Sequence, residues 1–238
     1  MAPQHPAAEH RAAEHPAATM WKDPTFARTW AESDGLGDLL ALPWAMAAAI
    51  VANDDPAPGV VVDVASGPGS FLAAFLEELP ACRGLWLDAS EEMLERARER
   101  LAPFGDRVQF HLGDMTDLAG AGVPHGATAI VTSRAAHHLD RVELAAFYRE
   151  AAAHLAPGGW LVNLDHTGPA EVWDRRFRTV RRRFIGPRND QGRHHHNYPL
   201  TSVQDHLDAF AAAGLDDVEI AWKAFYTCLF MARKATAG

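Results

Sequence analysis

Asp63, Asp88 and Asp114 each close a short β-rich run and lead into small or turn-forming residues. The stretches are "VVVDVASGPGSFL" from Val60, "GLWLDAS" ending at Ser90 and "LGDM" ending at Met115. A carboxylate beside a glycine-lined turn attracts an ammonium group and repels a diphosphate. Gly67 and Gly69 carry no Cβ, so a ligand can approach the backbone there, and the helix beginning near Phe71 turns its amides toward the same spot. Leu72 stands where the third glycine of a dinucleotide fingerprint belongs, which argues against that class of ligand. Asp88, about twenty residues beyond the glycines, is placed to accept both hydroxyls of a ribose. Asp114 can accept the exocyclic amine of an adenine, and Met93 and Met115 are expected to hold the ring between polarizable thioethers. Three acids at three consecutive strand ends make a cradle for a nucleoside bearing a positive amino group.

The elements that would position these acids alternate. Strands are expected at Val60 to Val64, Gly84 to Leu87, Val108 to Leu112, Ala129 to Ser133 and Trp160 to Leu164, with helical patterns between them, the signature of an α/β sheet. Ser90 is placed to cap "EEMLERARERL", with Glu91 and Glu92 in its first turn. "DRVELAAFYREAAAHLAPGG" reads as a helix closed by Pro157, Gly158 and Gly159. After the helix "SVQDHLDAFAAAGL", the two strand-like runs of "DVEIAWKAFYTCLFMARK" leave no room for a crossover and predict an antiparallel hairpin.

In their order and spacing, "DVASGPGSF", "LDASEEMLERAR", "LGDMTDL" and "HLAPGGWLV" resemble the successive motifs of class I methyltransferases that use S-adenosylmethionine. The resemblance runs from about Trp21 to Lys234. It implies a Rossmann-like, mostly parallel seven-stranded sheet with a C-terminal antiparallel hairpin, helices on both faces, an N-terminal lid and an inserted cap helix. It also implies that Asp63 and the turn from Ala65 through Gly67 to Gly69 hold the methionine part. Asp88 with Ala89 would then take the ribose, and Met93, Asp114 and Met115 the adenine, with Ser133 nearby. Ala65 is a departure, since glycine is common there in the family.

Methyl transfer from a sulfonium is an in-line displacement, and an acceptor that arrives protonated must lose its proton. Bases are expected at the ends of the fourth and fifth strands. "TSRAAHHLD" offers His137 and His138; adjacent helical residues point about 100° apart, so only one should face the pocket. Some small-molecule amine methyltransferases place a histidine directly before a leucine after a Ser-Arg pair, and by that likeness His138 is the favoured base, with Arg134 toward substrate. Their tyrosine partner from the lid is missing here, because the first tyrosine is Tyr148. "LVNLDHTG" adds Asp165, a substrate contact, and His166, a third base candidate. A carboxylate raises the basicity of a nearby imidazole, although adjacent strand residues face opposite ways.

Two segments are expected to cover the site. Residues 21–58 form the implied lid, with Phe26, Trp30 and Trp44 excluding water and Trp30 contacting substrate; plain core packing explains Trp44 equally well. Residues 168–199 form the implied cap, where Trp173, Phe177, Val180 and Phe184 make an apolar stripe with an arginine-rich back. The arginines read as a solvated face, with recruitment of an anionic substrate as the alternative. His194, His195 and His196 near Asp190 invite a metal. Consecutive residues rarely converge on one ion, so His195 and Tyr198 are expected to line a polar pocket, and no metal is expected.

Composition sets the outer bounds. The chain has 238 residues, 48% of them hydrophobic, and a formal net charge of -9. That suits one domain over 21–238 and disfavours coating nucleic acid or anionic membrane. Residues 1–20, with histidines at 5, 10 and 15 between prolines and alanines, read as a disordered tail. Two distant cysteines, no basic-then-apolar leader and no long apolar run suggest a cytoplasmic protein, monomer or homodimer. The expected function is methyl transfer to nitrogen or oxygen of a small molecule, as in natural-product biosynthesis. The alternatives are non-methyl chemistry with the same cofactor, such as intramolecular alkylation, or a non-catalytic cofactor-binding subunit. A nucleic-acid substrate is disfavoured because "SRAAHH" replaces the Asn/Asp-Pro-Pro-aromatic grip on a flipped base.

Overall fold

The computed structural model of the protein describes residues 16–33, 37–181, 183 and 199–236. Three helices, α1 (Pro16–Trp21), α2 (Pro24–Ser33) and α3 (Gly37–Asn53), precede the sheet. There follow β1 (Val60–Val64), α4 (Ser70–Glu78), β2 (Arg83–Asp88), α5 (Glu91–Leu101), β3 (Val108–Leu112) and β4 (Ala127–Ser133). The second half comprises α6 (Arg141–His154), β5 (Leu155–His166), α7 (Glu171–Arg181), α8 (Val203–Ala212), β6 (Leu215–Ala224) and β7 (Thr227–Lys234). The strands form one seven-stranded sheet in the order β3-β2-β1-β4-β5-β7-β6. Strands β1 to β5 pair in parallel, and β7 runs antiparallel to both β5 and β6, as the hairpin pattern predicted. The strand order reverses between β1 and β4, which opens a crevice beyond their carboxyl ends.

Alternation along the strands sends successive side chains to opposite faces. Val61 of β1 and Val162 of β5 join a cluster with Phe71, Phe75 and Trp86, on the side of α3, α4 and α5. Val62 and Leu161 join a second cluster with Phe147, Tyr148 and Phe210, under α6 and α8. Local signals set the helix starts. Ser90 Oγ accepts from the Met93 amide at α5, and Asp140 with Glu143 closes a capping box at α6.

Two boundaries differ from expectation. Helix α6 stops at His154, because Leu155 leaves helical backbone geometry, and the "APGG" expected to close it begins β5 instead. A Cβ on Gly159 would lie 2.9 Å from the Ala127 carbonyl oxygen, so this start of the strand needs glycine to pack beside β4. The expected tail gives way to helix at Pro16, and residues 1–15, with the three tail histidines, lie outside the described residues.

The N-terminal helices lean on the site. Trp44 of α3 donates from Nε1 to Ser133 Oγ at the end of β4 (3.1 Å) and packs against Phe71. Arg28 of α2 reaches Glu92 of α5 (3.5 Å). Among the described residues no helix is long and apolar enough to cross a membrane.

Candidate active site

On one flank of the crevice the acids are held by backbone amides. Asp63 is fully buried, and its Oδ2 accepts from Ser66 Oγ (2.6 Å) and the Leu72 amide (3.0 Å). Its Oδ1 is buried without a hydrogen-bond partner. Burial, with smaller help from the nearby Asp88 charge, pushes the Asp63 carboxyl up to about 7. Asp88 Oδ2 accepts from the Gly67 amide (2.8 Å) and Oδ1 from the Ser90 amide (2.9 Å), and burial pushes this carboxyl up to about 6. Gly67 has φ +55°, and nothing lies within 4 Å of where its Cβ would stand. Two buried, reluctant carboxylates, one with an orphaned oxygen, beside an open glycine turn fit a ligand that brings a positive charge. Asp114 lies two residues past the end of β3, with Oδ1 accepting from the amide and hydroxyl of Thr116 (both 2.9 Å).

The opposite flank carries a different arrangement. After β4 the chain turns through Arg134, at φ +58°, whose amide donates to the Leu164 carbonyl (2.8 Å). A short 3-10 turn, Ala136–His138, follows. His137 Nδ1 lies 2.5 Å from Asp165 Oδ1, and the His137 amide donates to Asp165 Oδ2 (2.8 Å). The His166 amide also donates to Oδ1 (2.7 Å). Burial pushes the Asp165 carboxyl up, while the histidines and amides around it pull the other way. With Nδ1 committed to Asp165, Nε2 is the His137 nitrogen whose protonation state can change in a reaction.

Several expectations change here. Both His137 and His138 are buried, with ring centroids 4.3 Å apart. A 3-10 turn rather than the start of an α-helix carries them, and the two rings lie together instead of one facing away. The Asp165 carboxylate bonds the His137 ring and the His166 amide, while the His166 ring bonds Thr227 Oγ1 (3.0 Å) and lies 5.2 Å from that of His137. Met93 is buried in the α3–α5 cluster while Met115 packs against the other, so the expected thioether pair is split between two clusters.

Ala65 and Ala89 sit in the turns after β1 and β2 as expected, and Ser133 is engaged by Trp44. Trp173 of α7 is half exposed, with the Arg176 guanidinium over its ring. Phe177 packs on Phe225 and Tyr226 at the hairpin turn. The side chain of Trp30, together with Phe184, Asp190, His194, His195, His196 and Tyr198, lies outside the described residues.

Three groups went unread in the sequence. Trp86 Nε1 donates to the Gly67 carbonyl (2.8 Å) and pins the glycine turn; a buried indole needs such an acceptor, which was the available signal. Trp21 stands edge-on to His138, with centroids 6.3 Å apart. Asn163, Tyr148 and His206 form a buried chain beside Asp165.

A parallel sheet with acids at or just past the ends of β1, β2 and β3, closed by an antiparallel hairpin, defines the class I methyltransferase fold. Residues 61–159 match a family model described as a methyltransferase domain. An O-methyltransferase family protein from Burkholderia thailandensis superposes with a TM-score of 0.67 over 92% of this chain and 64% of its own, at 20% identity. A dTDP-3-amino-3,4,6-trideoxy-alpha-D-glucopyranose N,N-dimethyltransferase from Streptomyces venezuelae is 35% identical over 113 residues, 48% of this chain and 45% of that protein. A ribosomal RNA small subunit methyltransferase H from Treponema denticola is 42% identical over 59 residues, 25% of this chain and 19% of that protein. The chain therefore spans less than half the length of these two curated relatives.

Proposed function

We propose that the chain transfers a methyl group from S-adenosylmethionine to an oxygen or nitrogen of a small molecule, with His137 taking the acceptor's proton. The observation that carries this reading is the buried His137–Asp165 pair at the ends of β4 and β5, across the strand-order reversal from Asp63. When bound, the cofactor supplies an electrophilic methyl on a sulfonium. Asp63 and the Gly67 turn would hold its amino-acid end, Asp88 its ribose and Asp114 its base. Asp165 orients His137 and favours the imidazolium that forms as the proton arrives. Trp21, edge-on to His138, and Trp44, bonded to Ser133, would help to exclude water beside the pair. A small-molecule acceptor is supported by the amino-sugar enzyme among the relatives and by the absence of a base-gripping tetrapeptide after β4. We assign residues 21–58 to a lid and 168–199 to a substrate cap.

The test is to incubate the protein with cofactor and a panel of phenols, alcohols and amines, and to follow release of the demethylated cofactor. His137→Ala should lower kcat by about 10²- to 10⁴-fold with cofactor affinity unchanged, whereas His138→Ala should cost less than about tenfold. Full turnover in His137→Ala removes that histidine from the chemistry. Retention of cofactor without turnover on any acceptor supports a non-catalytic binding subunit.

A further inference from the structure

Beside the His137–Asp165 pair runs a second line of polar groups that the proposed reaction does not use. Asn163, two residues before Asp165 on the same face of β5, donates from Nδ2 to the Tyr148 hydroxyl of α6 (2.7 Å). That hydroxyl bonds His206 Nδ1 of α8 (2.8 Å), and His206 Nε2 bonds Thr201 Oγ1 (3.1 Å). Asn163, Tyr148 and His206 are fully buried. Since Asn163 donates to Tyr148, the hydroxyl donates onward to Nδ1 and the imidazole carries its proton on Nε2. One N–H of the Asn163 amide is therefore held toward Tyr148 and not toward Asp165. A buried polar line is harder to assemble than apolar packing, and Phe210 and Phe230 around it could have continued such packing.

The amide of Asn163 has one anchor. Its Oδ1 is buried without a partner, so loss of the Tyr148 hydroxyl leaves the amide able to turn its N–H toward the carboxylate two residues along. Asp165 already accepts from three donors, and a fourth would draw charge from His137. We infer that Tyr148 is a positioning residue: by engaging Asn163 it keeps that donor off Asp165, so the carboxylate acts on His137. This rests on His137 being the base proposed above. The other groups around Asp165 are His138 beside His137, His166 on β5, His206 on α8 and Cys228 opposite it on β7, whose sulfur accepts from Lys223 Nζ (2.9 Å). Burial holds His206 down at about 4, so it stays neutral near pH 7 and does not contribute a competing titration there.

The experiment follows the His137 imidazole by nitrogen NMR in the resting protein, and the acid limb of kcat against pH, in a set of variants. Tyr148→Phe should lower the His137 midpoint and the acid limb together by about half to one pH unit. Adding Asn163→Leu to that variant removes the donor and should restore both. His206→Asn keeps an acceptor for Tyr148, and Asn163→Leu alone removes the donor, so each should leave the midpoint unmoved. A Tyr148→Phe midpoint that stays in place, a double variant that fails to restore it, or a downward shift in Asn163→Leu alone overturns the inference. The predicted shift and rescue in a protein that methylates nothing would uphold it and overturn the catalytic reading instead.

Discussion

The two flanks of the crevice solve the same problem, a buried carboxylate, in opposite ways. On the β1 and β2 flank, Asp63 accepts from Ser66 and Leu72 within nine positions of it, and Asp88 from the nearby Ser90 amide and from the Gly67 amide 21 positions back. On the β4 and β5 flank, Asp165 takes its partner from a histidine 28 positions away, and the polar line beside it joins residues up to 58 apart. The first design leaves the charge under-compensated until a cation arrives. The second sets a histidine and two amides against the burial that still raises the carboxyl. Under the proposed reaction the first flank takes the cation and the second takes the proton.

Asp63→Asn should break the first flank most sharply. Cofactor affinity is expected to fall by about 10²-fold, the loss of a buried charged hydrogen bond, as read by calorimetry. The unliganded protein should become more stable at the same time. The sign follows from the raised carboxyl: a folded value of about 7 against 3.8 in the unfolded chain means its contribution is fully present below about pH 4 and is lost as pH climbs toward 7. The Asn variant's advantage in thermal midpoint should therefore grow over that window and level off above it. Asp165→Asn should gain no such advantage, because it strips His137 of its partner. An Asp63→Asn protein that is less stable than wild type at pH 8 would show that the orphaned oxygen is not a liability.

A subtler measurement sharpens the same contrast. Asp63 and Asp88, at about 7 and 6, are partly protonated near neutral pH, and a bound cation favours their ionised forms. Cofactor binding at pH 6.5 should release protons, seen as a dependence of the calorimetric heat on the buffer's ionisation enthalpy. Affinity should rise with pH by up to about tenfold per released proton per unit and flatten above pH 8. Proton uptake, or no linkage at all, would mean that the carboxylates are already compensated.

Legibility in the sequence follows the same division. Local signals carried far: the β-branched run into Asp63, the Ser90 cap, the glycine turn and the hairpin without a crossover each depend on neighbours within a few positions, and the sheet they imply is the one observed. Misreadings occurred where distant packing decides. "APGG" has the composition of a helix stop, yet contact with Ala127 draws it into β5. His137 and His138 are both buried with their rings together, on a three-residue 3-10 turn in place of the expected helical start, and Asp165 lies on the sheet face that meets His137. Met93 suits a ring contact by its spacing, but the α5 packing face claims it first. Tyr148 and His206 look like ordinary residues of amphipathic helices, and only the packing of α6 on α8 brings their polar atoms together.

One device is shared by both flanks, and it yields the smallest expected effect. The chain leaves β1 through Ala65 at φ +52° and leaves β4 through Arg134 at φ +58°. A residue with a Cβ in this left-handed region costs about 1 kcal/mol relative to glycine. Ala65→Gly relieves that strain while loosening the unfolded chain, so the net gain should be about 0.5 kcal/mol, or about 1–3 °C in thermal midpoint for a domain of this size. Cofactor affinity should stay within about twofold, because the carboxylate, the Gly67 turn and the Trp86 anchor are untouched. Arg134→Gly relieves similar strain on the other flank but removes a side chain at the mouth of β4, beside the histidine turn. Its stability should change in the same direction while the KM for an acceptor rises. If the two substitutions affect stability alike and neither alters KM, Arg134 serves the turn alone, and the acceptor must be gripped from the lid and the cap.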